Sequence, residues 1–315
     1  MENRLYVSYL TVPGASGNYD INLTTYDASP NITLTLTITG SDPSDSEDSL
    51  ARKAYDQINT ILIQNSLNYS GEVTLFPGTP SNTFRVTRTN HVLCFYSEAQ
   101  FDIDIDSDTI GSIIRKDTDP HLITVSKMSN YSNILGQDLT DLTNSQIADL
   151  IGIISSKLVQ ALKNPIVMST YRHETYTNWN YGTKLSKLPI VSIDPPYIRR
   201  PDLFTFLTTG RSTNDPLSIY NVDYKTGWMM YRYSQDLLLS YEPFDYNNNF
   251  RLTYVAGERQ IPAIIQSTVA DLVNAVLNDS DVAKLSGGTF SIEPKHFSHI
   301  FNEKMQFLKR YILNG

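Results

Sequence analysis

Apolar and polar residues alternate strictly from Ile32 to Ile38, ITLTLTI, which predicts a β-strand with a threonine face. Helical spacing takes over at Leu50, Ala51, Ala54, Ile58, Ile61 and Leu62, after a capping-box pattern formed by Ser44 and Glu47. Short apolar runs at Val73 to Phe76, Thr83 to Val86 and Val92 to Tyr96 are separated by PGTPSN and RTN turns and read as strands. The first part of the chain is thus expected to be one helix packed on a small, mainly antiparallel sheet.

Phe101 to Asp108, FDIDIDSD, sets four aspartates at alternate positions and so invites a calcium reading. The sixth loop position is Ser107 where glycine is required, and the twelfth is Ile113 where glutamate is required. Phe101, Ile103 and Ile105 fill the intervening places, as a half-buried strand demands. The segment is expected to be a strand whose acidic outer face discourages edge pairing.

Beyond Asn130 to Asp141 the pattern becomes helical. Thr143 and Gln146 cap a helix with Ile147, Leu150, Ile151, Ile154, Leu158, Ala161 and Leu162 on one face, stopped by Asn164 and Pro165. A Tyr/Thr-rich strand follows within Ile166 to Trp179, then KLSKLPIVSI ending at Ile193, and a long polar connection through DPPYIRRPD and Gly210 to Pro216. Leu217 to Tyr231 reads as a hairpin turning near Lys225 to Gly227. Arg251 to Val255 reads as a strand ending at Gly257, and Pro262 opens a long helix through Leu277. After a polar link at Gly287 and Gly288, a last helix carries Phe297, Ile300, Phe301, Met305 and Leu308 on one side.

Charge sharpens the division. Of the net charge of -8, all falls in residues 1–129, which hold 16 acidic and 8 basic side chains, while the remainder balances. We therefore expect an acidic α+β domain over residues 1–130 and a second domain over 131–315. No basic block or stripe is present, so tight phosphate-neutralising binding to nucleic acid is not expected. Only 18% of residues are charged, yet 20 are tyrosine, a balance that suits a surface covered by partners.

Candidate chemistry adds little. Cys94 is alone, which rules out an intrachain disulfide and a multi-cysteine metal site. MENRLYVSYL lacks the pattern of a signal peptide, and no apolar run approaches the ~20 residues that cross a bilayer. The Asn-x-Ser/Thr triplets at Asn22 and Asn31 are read as chance matches. There is no G-x-S-x-G elbow, phosphate-binding glycine loop or H-E-x-x-H. His296 and His299 lie one helical turn apart, and Glu174 lies beside His173, without the further ligands or partners that a metal or an acid/base pair needs. The expectation is a protein that is not an enzyme and carries no metal or cofactor.

From Leu142 onward the order of segments resembles the head-tail connector (adaptor) proteins of tailed bacteriophages. The matching pieces are a P-I-x-S-I strand, here Pro189, Ile190, Ser192 and Ile193; a hairpin with Asp223 and Gly227 at its turn; a strand end with Tyr254, Ala256 and Gly257; and Ile261 and Pro262 opening a core helix. Residues 1–130 have no counterpart in the minimal members of that family, and the loop from Asp194 to Pro216 is long.

The resemblance implies a helical bundle with a small antiparallel sheet, assembled as a ring, usually dodecameric, beneath the portal protein. Such a ring extends the DNA channel, touches packaged DNA only passively and gives tail or neck proteins their platform. It implies a virion location in the neck, assembly in the host cytoplasm and no membrane partner. It also favours docking of the last helix, through Phe297, Ile300, Phe301, Met305 and Leu308, on the portal or the adjacent subunit. Periodicity alone leaves open that this face packs on the chain's own core. The competing expectation is a tail or baseplate module holding a receptor-binding fibre, with Trp179, Trp228 and the tyrosines as contact faces; its stoichiometry would be a trimer.

Overall fold

Glu47–Gln64 form helix α1, which buries Leu50, Ala51, Ala54, Ile58 and Leu62 along one stripe. Its cap is Ser46, whose hydroxyl accepts the Ser49 N–H, so the helix starts later than the Ser44 pattern implies. Ser44 lies outside the described residues. The structure is a computed structural model describing residues 6–12, 18–26, 30–39, 46–68, 82–107, 115–117, 119–134, 139, 141–177, 183–193, 220–231, 249–278 and 295–312. The expected strand at Val73 to Phe76, the loops from Asp194 to Pro216, and Gly287 and Gly288 also lie outside them.

Two antiparallel sheets accompany α1. One has the order β4 (Phe84–Thr89), β5 (Val92–Ser97), β1 (Tyr6–Thr11), β7 (Arg115–Asp117); the other runs β3 (Thr33–Thr39), β2 (Asn18–Thr25), β6 (Phe101–Ser107). Leu10, Ile21, Leu23, Leu36, Ile38, Phe84, Phe95 and Ile103 meet the buried stripe of α1 in one core. In β3 the threonines point outward and Leu36 and Ile38 inward, as the alternation predicts. FDIDIDS is a strand at the sheet edge, paired with β2 from Tyr19↔Ser107 to Thr25↔Phe101. β1, β2 and β7 are additional to the expected order. All six residues of β5 are buried, as befits a strand flanked by β4 and β1.

A second core gathers α2 (Val125–Ile134), α3 (Asn144–Leu162), α4 (Ala263–Asn278) and α5 (Lys295–Phe307). Thr143 and Gln146 make the expected reciprocal capping box on α3, and Lys163 ends it in the left-handed conformation at φ 52°. Residue 130 falls inside α2, whose Met128 belongs to this core and whose Ser132 donates to Asn274 Oδ1 on α4 at 3.0 Å. Two three-stranded sheets complete the fold. They have the orders β10 (Ile190–Ile193), β13 (Asn249–Ala256), β8 (Ser169–Thr177) and β11 (Tyr220–Val222), β12 (Trp228–Tyr231), β9 (Thr183–Lys184). The molecule is therefore mixed α+β, with helices and small antiparallel sheets. Among the described residues no helix is long and apolar enough to cross a membrane.

The two cores are joined by the turn between β4 and β5. Asn90 takes the left-handed conformation at φ 50°, which asparagine tolerates better than most residues, and Thr89 pairs with Val92 to close a two-residue turn. Thr87 Oγ1 donates to the Met168 carbonyl and Thr89 Oγ1 accepts the Met168 N–H, both at 2.9 Å. His91, fully buried, shares a 3.2 Å hydrogen bond through Nε2 with the His121 carbonyl. Tyr9 and Ser169 hydroxyls meet at 3.2 Å beside Cys94.

Candidate interaction site at the head of α4

Gly257 turns the chain from β13 toward α4 at φ 119°. A Cβ there would lie 2.7 Å from both Met168 Cα and the Val167 carbonyl oxygen, so only glycine fits. Its N–H donates to the Pro189 carbonyl and the Glu258 N–H to the Ile166 carbonyl, each at 2.8 Å. β10 lies alongside, with Ile190 opposite Ala256, Ser192 opposite Val255 and Ile193 opposite Tyr254, and a register irregularity between Ile190 and Ser192.

The turn from Asp223 to Gly227 seats against the same strand. Asp223 Oδ1 accepts the Lys225 and Thr226 N–H groups at 2.9 and 3.2 Å, and its Oδ2 accepts the Thr226 hydroxyl at 2.5 Å. The Thr226 hydroxyl first, then these amides, hold the Asp223 carboxyl below its ordinary pKa. Gly227, at φ 76°, closes the turn by donating to the Asp223 carbonyl. The Tyr224 carbonyl then receives the Ile190 N–H at 2.9 Å, fixing the turn to β10. The P-I-x-S-I strand thus pairs with the strand end, and the hairpin turn is bonded to it through Ile190. Pro189, Ile190, Gly257, Ile261 and Pro262 line an open cleft of about 920 Å3 there, and Tyr224 forms part of its rim.

The floor of this cleft uses a residue that the periodicity does not single out. Asn90 reaches in from the β4–β5 turn, and its Oδ1 accepts the Ile261 N–H at 2.9 Å. Gln266, on the first turn of α4, donates from Nε2 to the Ile261 carbonyl at 2.8 Å. The asparagine within the RTN turn was the available signal, but its partner lies 171 positions away.

In the single chain the C-terminal helix packs on the chain's own core, the arrangement that periodicity leaves open. Phe297 and Leu308 are buried in the chain's own second core, and Ile300, Phe301 and Met305 pack against it partly buried. Phe297 and Phe301 rings lie 5.8 Å apart, with Lys157 Nζ 5.5 Å over the Phe297 ring. Lys304 pairs with Asp271 of α4 at 2.5 Å, and Asn164 Nδ2 donates to the Tyr311 carbonyl at 3.2 Å. In the single chain the apolar stripe is thus turned toward α4; Phe307 remains outward, 64% exposed.

Among the described residues no three His, Cys, Asp or Glu side chains gather as a metal-binding group. His299 is exposed, and the side chains of His296, His173 and Glu174, like Trp179, lie outside the described residues. In β6, Asp102 forms an ion pair with Lys116 of β7. Cys94 is fully buried, and burial pushes its thiol up to about 12 against the lowering effect of the Ser169 and Thr87 hydroxyls, so its nucleophilic thiolate is scarce at neutral pH. No known protein-family model matches the chain, and no curated protein matches it either.

Proposed function

We propose that the chain is a structural subunit of a tailed bacteriophage, a head-tail connector of the adaptor type. In this reading it assembles as a ring beneath the portal, extends the DNA channel and carries the tail or neck proteins. The observation that supports it is the convergence at one corner of four separate segments, Pro189 to Ile193, Asp223 to Gly227, Tyr254 to Gly257 and Ile261 with Pro262. They sit beside a core built from helices α2 to α5, as the resemblance implies. The role is that of a scaffold in the virion neck, without catalysis.

Residues 1–130 are the acidic accessory part in this reading and residues 131–315 the adaptor part. A surface with an excess of eight negative charges would repel DNA from a channel wall, so the first part faces outward. The deciding experiment is native mass spectrometry of the purified full chain, alone and with portal protein. A large closed ring that co-purifies with the portal is the expected result. A trimer would favour a fibre-holding tail or baseplate module, and a monomer indifferent to the portal would end the connector reading.

A further inference from the structure

Hydrogen bonds at the two ends of β3 fix which way its backbone faces. The Thr25 N–H donates to the Ile32 carbonyl at 2.9 Å, so the even-numbered residues that follow, Leu34, Leu36 and Ile38, turn their backbone groups toward β2. The odd-numbered residues turn theirs to the opposite side. At Thr39 that side is taken: its N–H donates to Gln57 Oε1 of α1 at 3.1 Å and its carbonyl accepts Gln57 Nε2 at 3.3 Å, as a neighbouring strand's peptide group would bond it. The backbone groups of Thr33, Thr35 and Thr37 have no such partner among the described residues, and β3 stands at the end of its sheet.

An open row of N–H and C=O groups invites another strand, and proteins usually guard such an edge with charge, proline or a bulge. The far edge of the same sheet is guarded, since β6 carries Asp102 and Asp104, and Asp102 pairs with Lys116. The near edge is not. β3, TLTLTIT, holds no charge and no proline, and it pairs with β2 from Asn18↔Thr39 to Thr24↔Thr33 without a bulge. Its inner face is also incompletely covered, because Leu36 and Ile38 are buried whereas Leu34 is only half-buried.

We propose that this edge pairs with β3 of a second copy of the chain, antiparallel about a two-fold axis through Thr35. The stretch from Thr33 to Thr37, T-L-T-L-T, reads the same in both directions about Thr35, so the pairing sets Thr33 opposite Thr37, Thr35 opposite its counterpart and Leu34 opposite Leu36. In this register the three open residues exchange their N–H and C=O bonds, and Gln57 keeps its hold on Thr39. Self-complementarity selects the occupant: threonine meets threonine on the outer face and leucine meets leucine on the inner one, whereas any charge in the strand would meet its like. The contact is isologous and joins copies in pairs, so it is separate from a head-to-tail contact that closes a ring. The inference goes beyond the connector reading and does not rest on it.

The test uses the full chain. Cys94 is fully buried, so in a Thr35→Cys variant position 35 supplies the accessible thiol, and mild oxidation should link two copies there. Asp104→Cys, on the outer face of β6, should give no link. In sedimentation and native mass spectrometry the wild type should pair, and Thr35→Lys, which sets like charges on the axis, should pair about tenfold or more weakly with an unchanged melting temperature. Thr35→Pro removes an N–H that points away from β2, and should likewise lose pairing while keeping its fold. Hydrogen exchange on the wild type should show the Thr33, Thr35 and Thr37 amides gaining protection as concentration rises. Protection that is independent of concentration means that the chain covers its own edge, and overturns the proposal. A monomer at every concentration whose amides exchange freely also overturns it. So does a ring that Thr35→Lys leaves intact and that forms no link at position 35, an outcome that leaves the connector reading standing.

Discussion

Asn90 and Ile261 stand 171 residues apart in the chain and are joined by a 2.9 Å hydrogen bond from the Ile261 N–H to the asparagine oxygen. The bond ties the turn of the acidic part to the entry of α4 in the second part. It also satisfies a backbone donor buried with Ile261, which is only 3% exposed.

Replacing Asn90 tests this junction. Asn90→Ala loses the acceptor and sets a less tolerant residue at φ 50°, so a loss of about 2 to 4 kcal/mol is expected. Asn90→Gly relieves the backbone but not the unpaired donor, and should cost less than the alanine. Denaturant unfolding monitored by tryptophan fluorescence measures the difference; equal stability of wild type and both variants would show that the bond contributes nothing.

Gly257→Ala and Gly227→Ala separate two kinds of glycine requirement. At Gly257 the added carbon meets backbone, Met168 Cα and the Val167 carbonyl, at 2.7 Å, and neither can give way without moving β8. We expect a loss of about 3 kcal/mol or more. At Gly227 the near atom is Leu188 Cδ2 at 2.5 Å, the end of a side chain that can rotate, leaving mainly the cost of φ 76°. About 1 to 2 kcal/mol is expected there. Melting temperatures in the reverse order would show the wrong corner to be rigid.

Much of this architecture is legible in the sequence where one face of an element is wet. ITLTLTI, the stripe of α1 and the Thr143–Gln146 capping box each reproduce their pattern in the fold. β1 is harder to read because it lies between β5 and β7, with its last two residues buried, so alternation fades. β2 does alternate, burying Tyr19, Ile21, Leu23 and Thr25, and is readable in retrospect. The corner at Gly257 is visible as a set of motifs, but Asn90 and Gln266 are not. Their role depends on which backbone group each meets across the fold, and no local period encodes that.

Acid should loosen the junction through His91. Burial pushes its pKa down from 6.5 to about 3, with the bond to the His121 carbonyl opposing, and Lys127 and His121 adding to the drop. Among the described residues Nδ1 has no hydrogen-bond partner. Below about pH 6.5 the unfolded chain takes up the proton and the native chain does not, so stability falls as pH falls toward 3. The full loss would be on the order of 5 kcal/mol, at about 1.4 kcal/mol per pH unit. Glu258 works the other way, since burial raises its carboxyl pKa and protonation on acidification relieves that cost. Unfolding free energies between about pH 7 and pH 4 should decline in wild type and decline less in His91→Gln. Parallel profiles would remove His91 as the source.

The C-terminal helix supplies the last prediction, because its two phenylalanine environments differ. Phe297 is 5% exposed against α3 and α4, whereas Phe307, ten residues on, is 64% exposed. Phe297→Ala should cost about 3 to 5 kcal/mol, the usual range for emptying a buried aromatic site. Phe307→Ala should change stability by no more than about 0.5 kcal/mol. The double change Phe297→Asp with Phe301→Asp is harsher, since it sets one carboxylate in the second core and another against it. It should release α5 from α4 and break the Lys304–Asp271 pair, which hydrogen exchange over residues 295–307 would reveal as lost protection. If that variant instead keeps wild-type protection and melting temperature, the helix does not depend on its own core, and its apolar face is free to serve a neighbouring subunit or the portal.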